Sequence, residues 1–168
     1  RPRLLVRLAD PAGRQVTGLA RLRDKLYVIY WESDTIVVYE AESPYTRLQD
    51  IPVNGLKWPS DMAACVNIGS LYIADGRTYI WRIRADNKTI DKWKQVEDVL
   101  ALSVTTDGRL VALCAIDMQG SERSATWHGI LEVYRLPDGL RLSIIRLPHD
   151  VMNPNHAVQT ASGTFLVC

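Results

Sequence analysis

The sequence predicts an all-β fold, a β-propeller segment of four-stranded antiparallel blades, and three observations carry that prediction. Apolar residues recur with period two in short runs such as "KLYVIYW", "TIVVYE", "TYIWRI" and "ILEVYRL", the pattern of strands rather than helices. The second strand of each group returns at Leu26, Leu71, Leu110 and Phe165, a spacing of roughly 40 to 55 residues that marks stacked or radial repeats. Each copy follows a polar turn, Arg23-Asp24-Lys25, Asn67-Ile68-Gly69, Asp107-Gly108 or Ser162-Gly163. Glycine in such a turn supplies the positive φ that a tight hairpin demands.

Residues 1–10 contain "LLVRL", read as the outer strand of a preceding blade. Residues 16–53 hold a complete unit, with inner strand "VTGLARL", then "KLYVIYW" and "TIVVYE", then the more polar "TRLQDIPV". Residues 58–98 repeat the order with "SDMAACV", "SLYIAD", "TYIWRI" and "DKWKQVEDV", and residues 99–148 with "ALSVTT", "RLVALCA", "ILEVYRL" and "LRLSIIRLP". Residues 154–168 supply two strands of a further blade, "HAVQTA" and "TFLVC". The small residues Gly18, Ala20, Ala63 and Ala64 suit inner strands that converge on an axis. A single such sheet has two faces to bury, and packing blade against blade buries both. About three and a half blades do not close a ring, so the chain is expected to be part of a propeller of about six blades, the rest coming from the same or another chain.

The 168 residues are 47% hydrophobic and 23% charged, which fits a folded domain rather than a disordered tail. The formal charge of +1 argues against a dedicated polyanion binder, although Arg1, Arg3, Arg7, Arg14, Arg21, Arg23 and Lys25 crowd the first part and the stretch from Glu32 to Asp61 is net acidic. No apolar run reaches the roughly 20 residues of a membrane-spanning helix, so no membrane partner is expected. Cys65, Cys114 and Cys168 are odd in number, widely spaced and lack a CxxC pair. They read as reduced thiols rather than a disulfide framework or a zinc site, which favours a cytoplasmic setting. The sequon Asn87-Lys88-Thr89 leaves an extracellular setting open.

"SDMAACVNIGSLYIADGRTYIWRI" resembles an NHL repeat, in which a first strand, a Gly-containing turn, a "LYIAD"-like strand and an "I-x-x-I/V/F" strand follow in order. "ALSVTTDGRLVALCA" and "HAVQTASGTFLVC" are similar, and the resemblance runs from about Thr17 onward. Asp75 stands at the family's acidic position, where the other copies have Tyr30-Trp31 or Cys114-Ala115. More narrowly, the chain is similar to the C-terminal propellers of invertebrate proteins related to the tripartite-motif family. That resemblance implies a six-bladed disc that binds protein or, in some members, single-stranded RNA. Ubiquitin-ligase activity in that family belongs to a RING domain, which these residues do not contain.

Catalytic signatures are missing: there is no G-x-S-x-G elbow and no Gly-rich phosphate loop, so the chain is expected not to be an enzyme. Three histidines near a propeller axis could hold zinc in a metal-dependent lyase or hydrolase, and His156 begins an inner strand. His149 falls in a connection and His128 in the third-blade insertion "IDMQGSERSATWH", however, so the three are not expected to converge, and neither metal nor cofactor is predicted. Asp75-Gly76 reads as a turn whose carboxylate bonds its own backbone. The leading reading is a non-enzymatic interaction module that displays loops to a protein partner. Its expected contacts are Trp127, Arg123 and His128 of the insertion, together with Trp58 near the rim, since Trp and Arg dominate interface energetics. The alternative is single-stranded RNA binding, with Arg21, Arg23 and Lys25 on phosphates and Trp31 stacking on bases.

Overall fold

Strands with apolar side chains on both faces need a neighbour on each side, and the chain folds so that they have one. The structure is a computed structural model that describes residues 13–76, 78–84, 86, 89–116 and 128–168. Strands β1 (Val16–Leu22), β2 (Lys25–Tyr30), β3 (Thr35–Glu40) and β4 (Arg47–Pro52) pair in chain order as an antiparallel meander. The same order recurs in β5 (Pro59–Cys65), β6 (Ser70–Asp75), β7 (Tyr79–Arg84) and β8 (Ile90–Gln95). It recurs again in β9 (Val99–Val104), β10 (Arg109–Ile116), β11 (His128–Arg135) and β12 (Arg141–Arg146), and β13 (Ala157–Gln159) with β14 (Phe165–Val167) forms a last hairpin. The described residues contain no helix. The predicted strand within residues 1–10 and most of the third-blade insertion lie outside the described residues.

The register shows how the blades divide their side chains. Ile73 stands opposite Met62 on one side and Trp81 on the other, and residues directly opposite share a face. On that face Leu71, Ile73, Trp81 and Ile83 pack with Tyr27, Ile29, Ile36 and Val38 of the first sheet. On the opposite face Tyr72, Ala74 and Ile80 meet Leu110, Ala112, Cys114 and Tyr134 of the third. β6 is therefore buried at every position. The third sheet turns Val111, Leu113, Leu131 and Val133 toward Ala157 of the last hairpin. Each fully buried large side chain stabilises the assembly by about 1.5–3 kcal/mol.

The inner strands stack next to one another, β1 on β5, β5 on β9 and β9 on β13. Gly18 explains how closely the first two approach: a Cβ at that position would lie 2.8 Å from the Met62 backbone nitrogen. Ser60 crosses the next junction, its hydroxyl donating to the Val99 carbonyl at 2.8 Å. At the outside the arrangement opens: every residue of β12 is exposed, including Leu142, Ile144 and Ile145.

A meander sorts its connections by face. The β1–β2 and β3–β4 turns, with their counterparts in later blades, emerge on what we term the lower face. The β2–β3 turns and the connections between blades emerge on the upper face.

Candidate functional site

Two upper-face connections bring Trp31 and Trp58 together. Trp31 leaves β2 in a tight turn closed by Ser33 N–H donating to the Tyr30 carbonyl at 3.1 Å, with Glu32 at a φ of 55°. Trp58 ends the connection from the first blade to the second. Its N–H donates to Asp75 Oδ1 at 3.2 Å, and its carbonyl accepts the Gly76 N–H at 2.8 Å. The two indole rings lie 6.1 Å apart at 56°. At 46% and 37% exposure, both remain accessible to a partner.

Asp75 holds the Trp58 end of this arrangement. It is buried, and its second oxygen accepts the Trp81 indole N–H at 3.5 Å. The sequence reading of Asp75 as a self-bonding turn is thus corrected: the turn is closed by its carbonyl, which accepts Thr78 N–H at 3.1 Å, while the carboxylate reaches across to another connection. Beside Trp58 opens a cavity of about 300 Å³ lined by Lys57, Thr78, Tyr79 and Lys92. The Lys92 ammonium lies 4.5 Å from the Tyr79 ring centre and 5.4 Å from that of Trp81, a cation–π arrangement.

A larger cavity of about 890 Å³ separates β8 from the third blade. Glu132 is buried in its wall, where it accepts the Tyr134 hydroxyl and Arg141 Nη1 at 3.0 Å. Lys94 places its ammonium 5.6 Å from the Tyr134 ring centre. Burial, then the hydrogen bond to Glu132, pushes the Tyr134 phenol up, so it stays a donor. Burial also pushes the Cys114 thiol up to about 12, which makes it a poor nucleophile. The Glu132 carboxylate is thus satisfied from within the fold.

The predicted site residues are distributed differently from their expected grouping. Trp58, expected near the rim, lies in the connection that enters the second blade on the upper face, while Arg123 and Trp127 lie outside the described residues. His128 is the first residue of β11 rather than part of the insertion loop, and its ring packs on that of His149, 5.2 Å away. Arg21, Arg23 and Lys25 sit at the β1–β2 turn on the lower face, where Arg21 donates to the Arg23 carbonyl at 3.1 Å and lies 4.0 Å from Glu42. Trp31 stands at the other end of β2, about 20 Å away for six extended residues, so the phosphate-binding and stacking groups do not form one patch. His156 Nε2 meets Asp61 at 3.6 Å, a carboxylate that the sequence reading passed over. Its one signal was an acidic residue inside the otherwise small and apolar run "SDMAAC". Among the described residues no group of three or more His, Cys, Asp or Glu could hold a metal ion.

No family model matches the chain, and no curated protein does. Solved structures do. A chain of the nidogen/laminin complex aligns with a TM-score of 0.71 at 14% identity, over 92% of this chain and 56% of that one. Hydrazine synthase of Kuenenia stuttgartiensis aligns at 0.67 with 21% identity, over 89% and 42%. A protein from Lactobacillus plantarum aligns at 0.58 with 21% identity, over 90% and 48%. At these identities the likeness concerns the fold, which is that of a β-propeller. The chain spans about half the length of the structures it matches.

Proposed function

We propose that the chain is a non-enzymatic propeller module that binds a partner protein through the Trp31–Trp58 surface of its upper face. The observation that carries this reading is the contact between two exposed indoles, Trp31 and Trp58, with the Trp58 backbone N–H held by a buried carboxylate. Rigid aromatic anchors give an interface most of its energy at little cost in conformational entropy. The charges around them favour protein over a polyanion: Lys57 and Lys92 line the cavity next to Trp58, but Glu32 and Asp34 flank Trp31 and are exposed. A phosphate backbone laid across the pair would meet those two carboxylates, whereas a protein partner can match charges of both signs. We take the blades to be of NHL type in a ring of about six, completed by further blades. Three free thiols fit a reducing compartment.

The test is capture of binding partners by the chain and by a Trp31→Ala/Trp58→Ala variant, with and without nuclease. The reading expects a protein whose affinity falls about 30-fold or more in the variant, as loss of hot-spot aromatics does, and which nuclease leaves bound. Capture that nuclease abolishes would favour RNA, and capture equal for both forms would move the interface elsewhere.

A further inference from the structure

His128, His149 and Met152 meet where β11 begins and the β12–β13 connection crosses it. We propose that they form a site for a soft monovalent metal ion, cuprous copper, held by two imidazoles and a thioether. The inference is independent of the Trp31–Trp58 surface.

Three observations support it. His128 and Met152 form an antiparallel bridge, and residues directly opposite in such a pair project to the same face. The His128 and His149 rings stand 5.2 Å apart with planes at 85°. Two imidazoles sharing one ion, with metal–nitrogen bonds of about 2 Å, place their ring centres about 5–5.5 Å apart. Finally, His128 Nδ1 is buried and has no hydrogen-bond partner, an unusual state for a buried nitrogen and one that a metal ion would relieve.

The backbone beneath these side chains is held in place. Leu147 N–H donates to the Gly129 carbonyl at 3.1 Å, and Val151 N–H to the Pro148 carbonyl at 3.0 Å. Gly129 permits the close crossing, because a Cβ there would fall 2.8 Å from both Leu147 Cδ1 and Pro154 Cγ. The donor set then selects the ion. Imidazole with thioether suits cuprous copper, while a divalent ion would call for further His, Cys, Asp or Glu donors, and the described residues gather no group of three.

The test starts from the full chain carrying Cys168→Ser, which removes the exposed thiol and leaves Cys65 and Cys114 buried. Cuprous ion is offered anaerobically as its coloured bicinchoninate complex. The expected result is transfer of an equimolar amount of copper to the protein, with nitrogen and sulfur scatterers in its X-ray absorption spectrum. His149→Ala and Met152→Leu, both at exposed positions, should each weaken binding about tenfold or more, while Val158→Ala should not. Copper that stays with the chelator, or that binds both variants as it binds their parent, overturns the site. Zinc bound as tightly as copper and indifferent to Met152→Leu overturns the thioether assignment.

Discussion

The carboxylate of Asp61, on the inner strand β5, accepts the backbone N–H of Leu102 on the next inner strand, β9, at 2.8 Å. Its other oxygen takes the Met62 N–H at 2.8 Å, and His156 approaches from the start of the last hairpin at 3.6 Å. One side chain thus links neighbouring blades near the axis. Burial is the largest influence on this group and raises its pKa above the usual 3.8, against the lowering effect of the two N–H donors and His156.

A pH dependence follows from that shift. A carboxyl whose pKa is raised by folding costs stability above its raised value, and the cost disappears as pH falls through that value toward 3.8. The melting temperature of Asp61→Asn minus that of the wild type should therefore be larger at pH 7 than at pH 4. Thermal melts across that range check it, and a difference that does not vary with pH would refute the assignment.

Removing the Asp75 carboxylate leaves the Trp58 N–H and the Trp81 indole N–H without their acceptor. Asp75→Ala should cost about 1–3 kcal/mol, the usual penalty for stranding buried donors. In urea denaturation this appears as a lower midpoint with an unchanged slope. An unchanged midpoint would mean that the Asp75 carboxylate does not hold the Trp58 and Trp81 donors in the folded state.

The inner strands leave no room at Gly18. Gly18→Ala should destabilise by about 1–3 kcal/mol, because backbone atoms of Met62 cannot swing aside as a flexible side chain can. Leu19→Ala next to it, at an exposed position, should change stability by about 0.5 kcal/mol or less. Comparable effects from the two would contradict the close packing of β1 on β5.

The thiols should fall into two classes. Cys168 is exposed, whereas Cys65 and Cys114 are buried, and the Cys114 thiol is pushed up to about 12. With Ellman's reagent at pH 8 the native protein should show one fast thiol, Cys168, and release the other two only on unfolding. Fast labelling of Cys114 in the native state would count against the blade packing.

The strands and their turns were legible because each depends on local chemistry. Period-two runs and Asp-Gly or Ser-Gly turns need no distant partner to be read. The contacts that build the candidate site depend on topology instead. Trp31 and Trp58 lie far apart in sequence and meet only because a β2–β3 turn and a connection between blades emerge on one face. Trp31 and Lys25 are near neighbours in sequence, yet β2 carries them to opposite faces. His128 and His149 pair for a similar reason, since β11 and the connection after β12 fold back on each other across the tight crossing at Gly129. Asp61 was missed because nothing in "SDMAAC" reveals that Leu102 will lie beside it.

β6 is flanked on both sides, with Leu71 and Ile73 against the first sheet and Tyr72 and Ala74 against the third. Its amide protons can reach solvent only when both contacts are released, while those of the exposed strand β12 can exchange through local fraying. Deuterium uptake should accordingly be slowest around Ile73 and quicken toward the outer strands. A protease or an unfolding force acting on this chain would then begin at an outer strand, and the blade that carries Asp75 would be among the last to yield.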